Sequence, residues 1–164
     1  MGSDPGGPQP RVPQLTDILA ICRALNEARA RYVVIGGFAV ILHGYARGTM
    51  DLDLLIDPSP ANVRKVKAAL SKLPDNAAAE VEDTDVERYV VVRVADEVVV
   101  DLMGKAAGVS FEDVAEGVLT REIDGVAVPY ASARDLIRTK NTVRPKDQND
   151  VLFLRRKLDA SPEL

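Results

Sequence analysis

Two aspartates separated by a single leucine, Asp51 and Asp53, are the residues of this chain whose type and spacing best suit catalysis. They lie in an apolar run that is typical of a β-strand, and alternate side chains of a strand share one face. Both carboxylates would therefore point the same way, while Leu52 and Leu54 would point to the other face. Adjacent carboxylates repel each other unless a cation lies between them, and oxygen ligands suit magnesium or manganese. We predict that Asp51 and Asp53 bind Mg²⁺ or Mn²⁺.

A third carboxylate, Asp101, interrupts the apolar run from Val98 to Met103. A charge in a buried strand is costly unless it is paired or bound to a metal ion. Three carboxylates would complete a two-metal site, in which ions about 4 Å apart hold the attacking and leaving oxygens of an in-line displacement. We expect Asp51 and Asp53 to bridge both ions, and Asp101 to bind the ion that activates the attacking hydroxyl. The alternative is that the acids lie on the surface, with Asp101 exposed at a hairpin edge.

A Gly-Gly turn precedes the acidic strand. Gly36 and Gly37 follow the β-branched run 32–35 and come before a short apolar helix. Glycine allows the backbone to approach a phosphate closely, and the N–H groups at the start of a helix bind anions. The glycine and lysine spacings of a P-loop or a Rossmann fingerprint are absent. Followed by Asp-x-Asp on the next strand and by a third Asp, the turn predicts a phosphate-binding site.

The elements that must position these residues follow from the apolar pattern and from the turn signals. We predict helices over about 15–29, 38–42, from Ser59, over 111–118, from Ser132 and from Pro145, and strands over 32–35, 51–56, 88–94, 97–103, 121–123 and 126–128. Ser59 and Ser132 are predicted to cap their helices. Ala95-Asp96 and Asp124-Gly125 are predicted to be two-residue hairpin turns. The predicted fold class is α/β (α+β), a small mixed or antiparallel sheet flanked by helices. Residues 1–13, rich in Gly and Pro, are predicted to be a disordered tail. Residues 14–160 are predicted to form a single domain.

Charge and composition narrow the function classes. The formal net charge of −4 argues against a surface that coats nucleic acid in general. Residues 134–157 nevertheless hold eight Lys or Arg against three Asp. A basic segment facing an acidic site would suit an anionic substrate bridged by metal, and the alternative is a solvated helix face. Cys22 is the only cysteine, so no intrachain disulfide can form. Without a membrane span or a signal-peptide pattern, we expect a cytoplasmic protein with no membrane contact.

The motifs together resemble those of the DNA polymerase beta-type nucleotidyltransferase superfamily. Its signature is a Gly-Gly or Gly-Ser turn, a short helix, and Asp-x-Asp or Asp-x-Glu with apolar flanks. The form in this chain is most similar to the minimal bacterial and archaeal branch, which includes nucleotidyltransferases of toxin–antitoxin and abortive-infection systems. The residues that carry this similarity are His43, Gly44, Arg47, Thr49, Asp51 and Asp53. A weaker similarity continues through Ser132, Asp135, Lys140, Arg144, Lys146, Asp147 and Asp150.

The resemblance covers roughly residues 15–158 and implies a nucleotidyltransferase fold. It implies that the protein moves a nucleoside monophosphate from an NTP, ATP among the candidates, to an acceptor hydroxyl and releases pyrophosphate. The acceptor stays open among tRNA, a protein and a small molecule, because the chain lacks the added helical domain of larger members. The metals would be held by Asp51, Asp53 and Asp101. The nucleotide would be bound by Gly36, Gly37, Arg47, Thr49, Lys140, Arg144 and Lys146.

Two alternatives accompany this interpretation. The chain would instead be a nucleotide-binding antitoxin or regulatory partner with little transfer activity of its own, if its main task is to bind a toxin–antitoxin partner. Lys140 would be a solvated helix residue rather than a phosphate ligand, and Arg144 and Lys146 would only begin the last helix. Arg47 and Thr49 would only fix the loop before the acidic strand.

Overall fold

The computed structural model of the protein describes residues 9–140 and 142–161. The predicted tail, residues 1–13, lies mostly outside the described residues, and the single domain predicted over 14–160 stays a prediction. The helices are α1 Leu15–Glu27, α2 Gly36–Leu42, α3 Pro60–Leu70, α4 Asp85–Arg88, α5 Phe111–Ala115, α6 Ala133–Thr139 and α7 Pro145–Ala160, with a 3-10 turn at Ala77–Glu80. The strands are β1 Tyr32–Ile35, β2 Asp51–Ile56, β3 Val92–Ala95, β4 Val99–Met103, β5 Lys105–Ala106, β6 Val109–Ser110, β7 Leu119–Ile123 and β8 Val126–Tyr130.

The main sheet is mixed and has the strand order β3-β4-β2-β1-β8-β7. The pairs β1/β2, β3/β4 and β7/β8 are antiparallel, while β2/β4 and β1/β8 are parallel. Helix α1 packs against α3 and β8, and α2 packs against α6 and α7. The predicted fold class, a mixed sheet flanked by helices, is confirmed.

Strand β2 alternates as its sequence predicts. Leu52 and Leu54 are fully buried, whereas Asp51 and Asp53 are only half-buried. The central strand β1 is buried along its whole length, and it pairs with β2 from Tyr32 opposite Ile56 onward. Burial of the leucines on one face therefore fixes the register that turns both carboxylates to the other face, because a slip of one residue would exchange the two faces.

Local chemistry explains where the other predicted elements begin and turn. Ser59 caps α3 by accepting a hydrogen bond from the Asn62 N–H, and Ser132 caps α6 through the Asp135 N–H. The hairpin β7–β8 turns at Asp124 and Gly125, both of which have positive φ, as a two-residue hairpin turn requires. These capping and hairpin predictions are confirmed.

The region before β4 differs from the sequence prediction. Residues 85–88 form α4, and β3 begins only at Val92, so the strand predicted over 88–94 was wrong in its first half. The predicted two-residue turn at Ala95-Asp96 was also wrong, because Ala95 still pairs with Val99. The Asp96 carboxylate is instead buried, where it accepts the N–H groups of Asp75, Ala77 and Glu97. A side chain that satisfies three backbone donors stabilises a wider turn than the dipeptide suggested.

Helix α2 begins at Gly36 rather than at Phe38, and it ends at Leu42 with His43 as its C-cap. The His43 ring is buried, and its Nε2 lies 3.0 Å from the Ala131 carbonyl oxygen. Cys22 is fully buried in α1, as expected of a small apolar residue. Over the ranges 9–140 and 142–161, the chain forms no helix that is both long and apolar enough to cross a bilayer.

Candidate functional site

The structure brings the three predicted acids together at the middle of the sheet. Asp53 pairs in register with Asp101 across the parallel β2/β4 ladder, and Asp51 lies two residues earlier on β2. One carboxylate oxygen from each residue lies within 4.8 Å of the other two. Asp101 is only 5% exposed, because β4 lies between β2 and β3. The alternative that placed Asp101 at an exposed hairpin edge was therefore wrong.

Burial and mutual repulsion both act on the charges of the three acids. Burial, together with the charges of Asp51 and Asp101, raises the pKa of Asp53 to about 7. Burial also raises the pKa of Asp51, with the charge of Asp101 as the next cause. The three carboxylates cannot all be ionised near neutral pH without cost. A set of carboxylate oxygens that lie within 4.8 Å of one another fits Mg²⁺ or Mn²⁺.

The Gly-Gly turn packs directly against the acidic strand. Gly36 has φ +68, and a Cβ built on it would lie 2.0 Å from Asp53 Oδ2. A Cβ on Gly37 would lie 2.9 Å from both Arg47 Nη1 and Thr49 Oγ1. The two glycines are therefore needed for close packing of the site itself. The phosphate contact that the sequence predicts at Gly36 and Gly37 stays a prediction.

We expect Gly36→Ala to unfold more easily than Gly108→Ala. Both glycines have positive φ, but a Cβ on Gly108 would meet nothing within 4 Å, whereas one on Gly36 would collide with Asp53. The backbone strain of about 1 kcal/mol is common to both variants. We expect the clash to cost Gly36→Ala at least about 1 kcal/mol more in the free energy of unfolding. Urea denaturation measures both values, and equal values would show that Asp53 yields freely to the methyl group.

The acids line a cavity of about 550 Å³ whose remaining wall is largely basic. The residues around it are Gly37, Arg47, Thr49, Asp51, Asp53, Val91, Arg93, Asp101, Met103, Lys140, Arg144, Lys146 and Asp147. All the predicted site residues except Gly36 therefore line one cavity, and Gly36 packs against Asp53 beside it. A larger cavity, of about 730 Å³, has a more apolar lining that includes Tyr89 and Phe111 and contains none of the predicted site residues.

Three of the basic residues that line the cavity are already paired with acids of α7. Lys140 Nζ lies 3.0 Å from Asp150 Oδ2, and Arg47 Nη1 lies 2.8 Å from the same oxygen. Asp147 accepts from Arg144 and lies 3.5 Å from Lys140. Lys140 is 7% exposed, so the alternative that made it a solvated helix residue was wrong. All three cations line the cavity while each is paired with Asp147 or Asp150. The nucleotide contacts predicted for Lys140, Arg47 and Arg144 stay predictions.

One residue of the site, Arg93, was missed by the sequence analysis. Its Nε and Nη2 each donate to a different oxygen of Asp101, both at 2.9 Å, and Nη2 lies 3.3 Å from Asp51 Oδ2. Arg93 reaches this position because it pairs with Asp101 across β3/β4. The only sequence signal was an arginine in an apolar strand.

Comparison with known proteins supports the fold. No protein-family model and no curated protein sequence matches the chain. The crystal structure of a "putative nucleotidyltransferase" from Thermotoga maritima is similar, with a TM-score of 0.55 and 15% identity over 89% of this chain and 92% of that one. A likeness at this identity concerns the fold alone. The chain has an α/β fold with a mixed sheet flanked by helices, like that of this nucleotidyltransferase-like neighbour.

Proposed function

We propose that this protein is a metal-dependent nucleotidyltransferase of the polymerase beta type. The observation that carries the proposal is the meeting of three carboxylates, each with an oxygen within 4.8 Å of the others, in a cavity that five basic side chains also line. The acids suit divalent cations, and the basic side chains suit a triphosphate. Phosphoryl transfer needs these two parts, since its catalysis rests on positioning and charge neutralisation.

The residues present assign a role to each part of the cavity. Asp51, Asp53 and Asp101 would hold two divalent cations, which supply charge neutralisation at the transferred phosphoryl group. Arg144 and Lys146 line the same cavity, where they would bind oxygens of the triphosphate. The acceptor oxygen forms a bond to the α-phosphorus while the bond to the pyrophosphate oxygen breaks, and the hydroxyl proton passes to the carboxylate of Asp101. Pyrophosphate then leaves.

The finer assignments rest on the sequence resemblance. They are membership of the minimal toxin–antitoxin and abortive-infection branch and ATP as a donor. A cytoplasmic location is proposed from the sequence pattern, independently of the resemblance. A tRNA, a protein or a small molecule would be the acceptor. A role as a nucleotide-binding antitoxin or regulatory partner, with a toxin–antitoxin protein bound to it, is the alternative to transfer. An Asp51→Asn/Asp53→Asn variant that neutralises a bound toxin as well as the unchanged protein does would favour that alternative.

The first test is calorimetric titration of each of the four NTPs, with and without Mg²⁺. We expect one or more NTPs to bind the unchanged protein only when Mg²⁺ is present, because the carboxylates would otherwise repel the triphosphate. The double variant Asp51→Asn/Asp53→Asn should lose this Mg²⁺-dependent binding. The preferred base would then direct the search for the acceptor.

A matched control keeps the test specific. Asp83 is a surface acid paired with Arg64 at 2.9 Å, away from the cavity. Asp83→Asn removes one negative charge and should bind NTPs as the unchanged protein does. Circular dichroism would establish that each variant is folded. If the folded, unchanged protein binds none of the four NTPs, the proposed function is wrong.

A further inference from the structure

The hydrogen bonds of Arg93 use the oxygen atoms that a metal ion would need. Arg93 bonds to both oxygens of Asp101 in a bidentate pair and reaches Asp51 Oδ2 as well. Two of the three candidate metal ligands, Asp51 and Asp101, are therefore already paired with the positive charge of Arg93. A guanidinium and a divalent cation repel each other strongly at such short range. The guanidinium and a divalent cation therefore cannot bind the same carboxylates together without weakening each other's binding.

The exposure of Arg93 allows its guanidinium to move into solvent when another cation takes its place at these acids. Its side chain is 59% exposed, whereas that of Lys140 is 7% exposed. The Asp101 side chain is only 8% exposed, so release of Arg93 requires that another cation replace it at this carboxylate. Arg93 also lines the cavity, where the oxygens of a triphosphate would accept the hydrogen bonds that the carboxylates give up.

We propose that Arg93 competes with divalent cations for Asp51 and Asp101, so that a cation binds weakly alone and more tightly together with a nucleotide. This inference rests on the proposed function and adds to it a residue that couples the two ligands. By linkage, a nucleotide that takes up the released guanidinium raises cation affinity by the same factor by which the cation raises nucleotide affinity. Arg93 is thus a positioning residue, acting through the metal ligands.

The test measures Mn²⁺ affinity by the electron paramagnetic resonance signal of free Mn²⁺. The unchanged protein and Arg93→Met are each titrated with and without an NTP analogue whose α,β-bridge is a methylene, so that no transfer occurs. Without the analogue, we expect Arg93→Met to bind Mn²⁺ about tenfold more tightly than the unchanged protein. With the analogue, we expect this ratio to fall towards one, because the nucleotide has already removed the competitor.

Two control variants separate competition from general charge. Lys146→Met removes a positive charge that lines the same cavity and acts on Asp51 only through that charge. Arg64→Met removes an arginine of matched exposure, 60%, that pairs with Asp83. Both variants should show a much smaller gain in Mn²⁺ affinity than Arg93→Met. If Lys146→Met gained as much Mn²⁺ affinity as Arg93→Met, the inference would be wrong, because loss of any nearby positive charge would then explain the gain.

The outcomes distinguish this inference from the proposed function. If folded wild-type protein and Arg93→Met bind Mn²⁺ equally well, the competition is wrong and the metal site stands. If the gain in Arg93→Met is the same with and without the analogue, the coupling to nucleotide is wrong. If none of the folded variants binds Mn²⁺ under either condition, the metal site itself is wrong, and the proposed function fails with it.

Discussion

Asp53→Asn is expected to abolish nucleotide transfer and at the same time to stabilise the protein in EDTA above pH 7. Under the proposed function, loss of a metal-binding carboxylate should reduce the transfer rate by at least about a thousandfold, because charge neutralisation at the phosphoryl group would be the main source of catalysis. The gain in stability follows from the raised pKa of Asp53, about 7, which burial and the charges of Asp51 and Asp101 cause. Strongly shifted pKa values of this kind are common at functional sites.

The sign of the stability effect follows from proton binding. An ordinary aspartate in an unfolded chain has a pKa near 3.9. Between about pH 4 and 7 the native protein therefore holds a proton on Asp53 that the unfolded chain has lost, so this residue makes stability fall as pH rises. Above pH 7 the penalty is complete. We expect Asp53→Asn to be more stable there by about 1–3 kcal/mol, and to differ little near pH 4.

Urea denaturation at pH 4.5 and pH 8, with EDTA and with excess Mg²⁺, measures this effect. Mg²⁺ should stabilise the unchanged protein and leave Asp53→Asn unaffected, since only a binding-competent native state gains from the ligand. Asp83→Asn, at the surface pair with Arg64, serves as the control and should respond to pH and to Mg²⁺ as the unchanged protein does. A variant that is less stable than the unchanged protein at pH 8 in EDTA would show that Asp53 is not under repulsion.

The parts of the site that could be predicted from sequence are those that local patterns determine. Burial of Leu52 and Leu54 fixed the face of Asp51 and Asp53, and the period of a strand is enough to find it. Asp101 was found because a charge in an apolar strand needs a partner. Each of these inferences used residues within one element, where side-chain direction follows from spacing alone.

Arg93 was missed because its position depends on a turn that was predicted wrongly. A two-residue turn at Ala95-Asp96 would place Arg93 opposite Val98, far from the acids. The observed register pairs Ala95 with Val99 and Arg93 with Asp101. The difference arises because Asp96 turns inward and binds the N–H groups of residues 75, 77 and 97. Such a long-range contact cannot be read from the spacing of neighbouring residues.

The pairing of the basic residues with α7 could not be predicted either. The charge excess of residues 134–157 predicted a basic surface, but it could not show that Asp147 and Asp150 would be buried against those cations. Which face of α7 packs against α6 depends on tertiary contacts. The weak amphipathic pattern of this helix leaves that face undetermined.

Asp150→Ala is expected to be among the most destabilising single substitutions in the described part of the chain. Asp150 is 1% exposed and is the common partner of Arg47 and Lys140, which are themselves 11% and 7% exposed at their side chains. Removal of the shared carboxylate takes the Asp150 charge from Arg47 and leaves Lys140 with its longer, 3.5 Å contact to Asp147. Breaking a buried pair in this way typically costs about 3–5 kcal/mol in the free energy of unfolding.

A double-substitution cycle separates this cause from the simple loss of packing. Lys140→Met added to Asp150→Ala removes one of the two cations that have lost the Asp150 carboxylate, so it should recover part of the lost stability, whereas Lys140→Met alone should be destabilising. Thermal and urea unfolding measure all four proteins, and Asp83→Ala, at an exposed pair, should cost less than about 1 kcal/mol. Additive effects of Asp150→Ala and Lys140→Met would contradict the shared-carboxylate account. Because Lys140 lines the cavity, strong coupling in this cycle would also mean that α7 stabilises the part of the cavity where the triphosphate is proposed to bind.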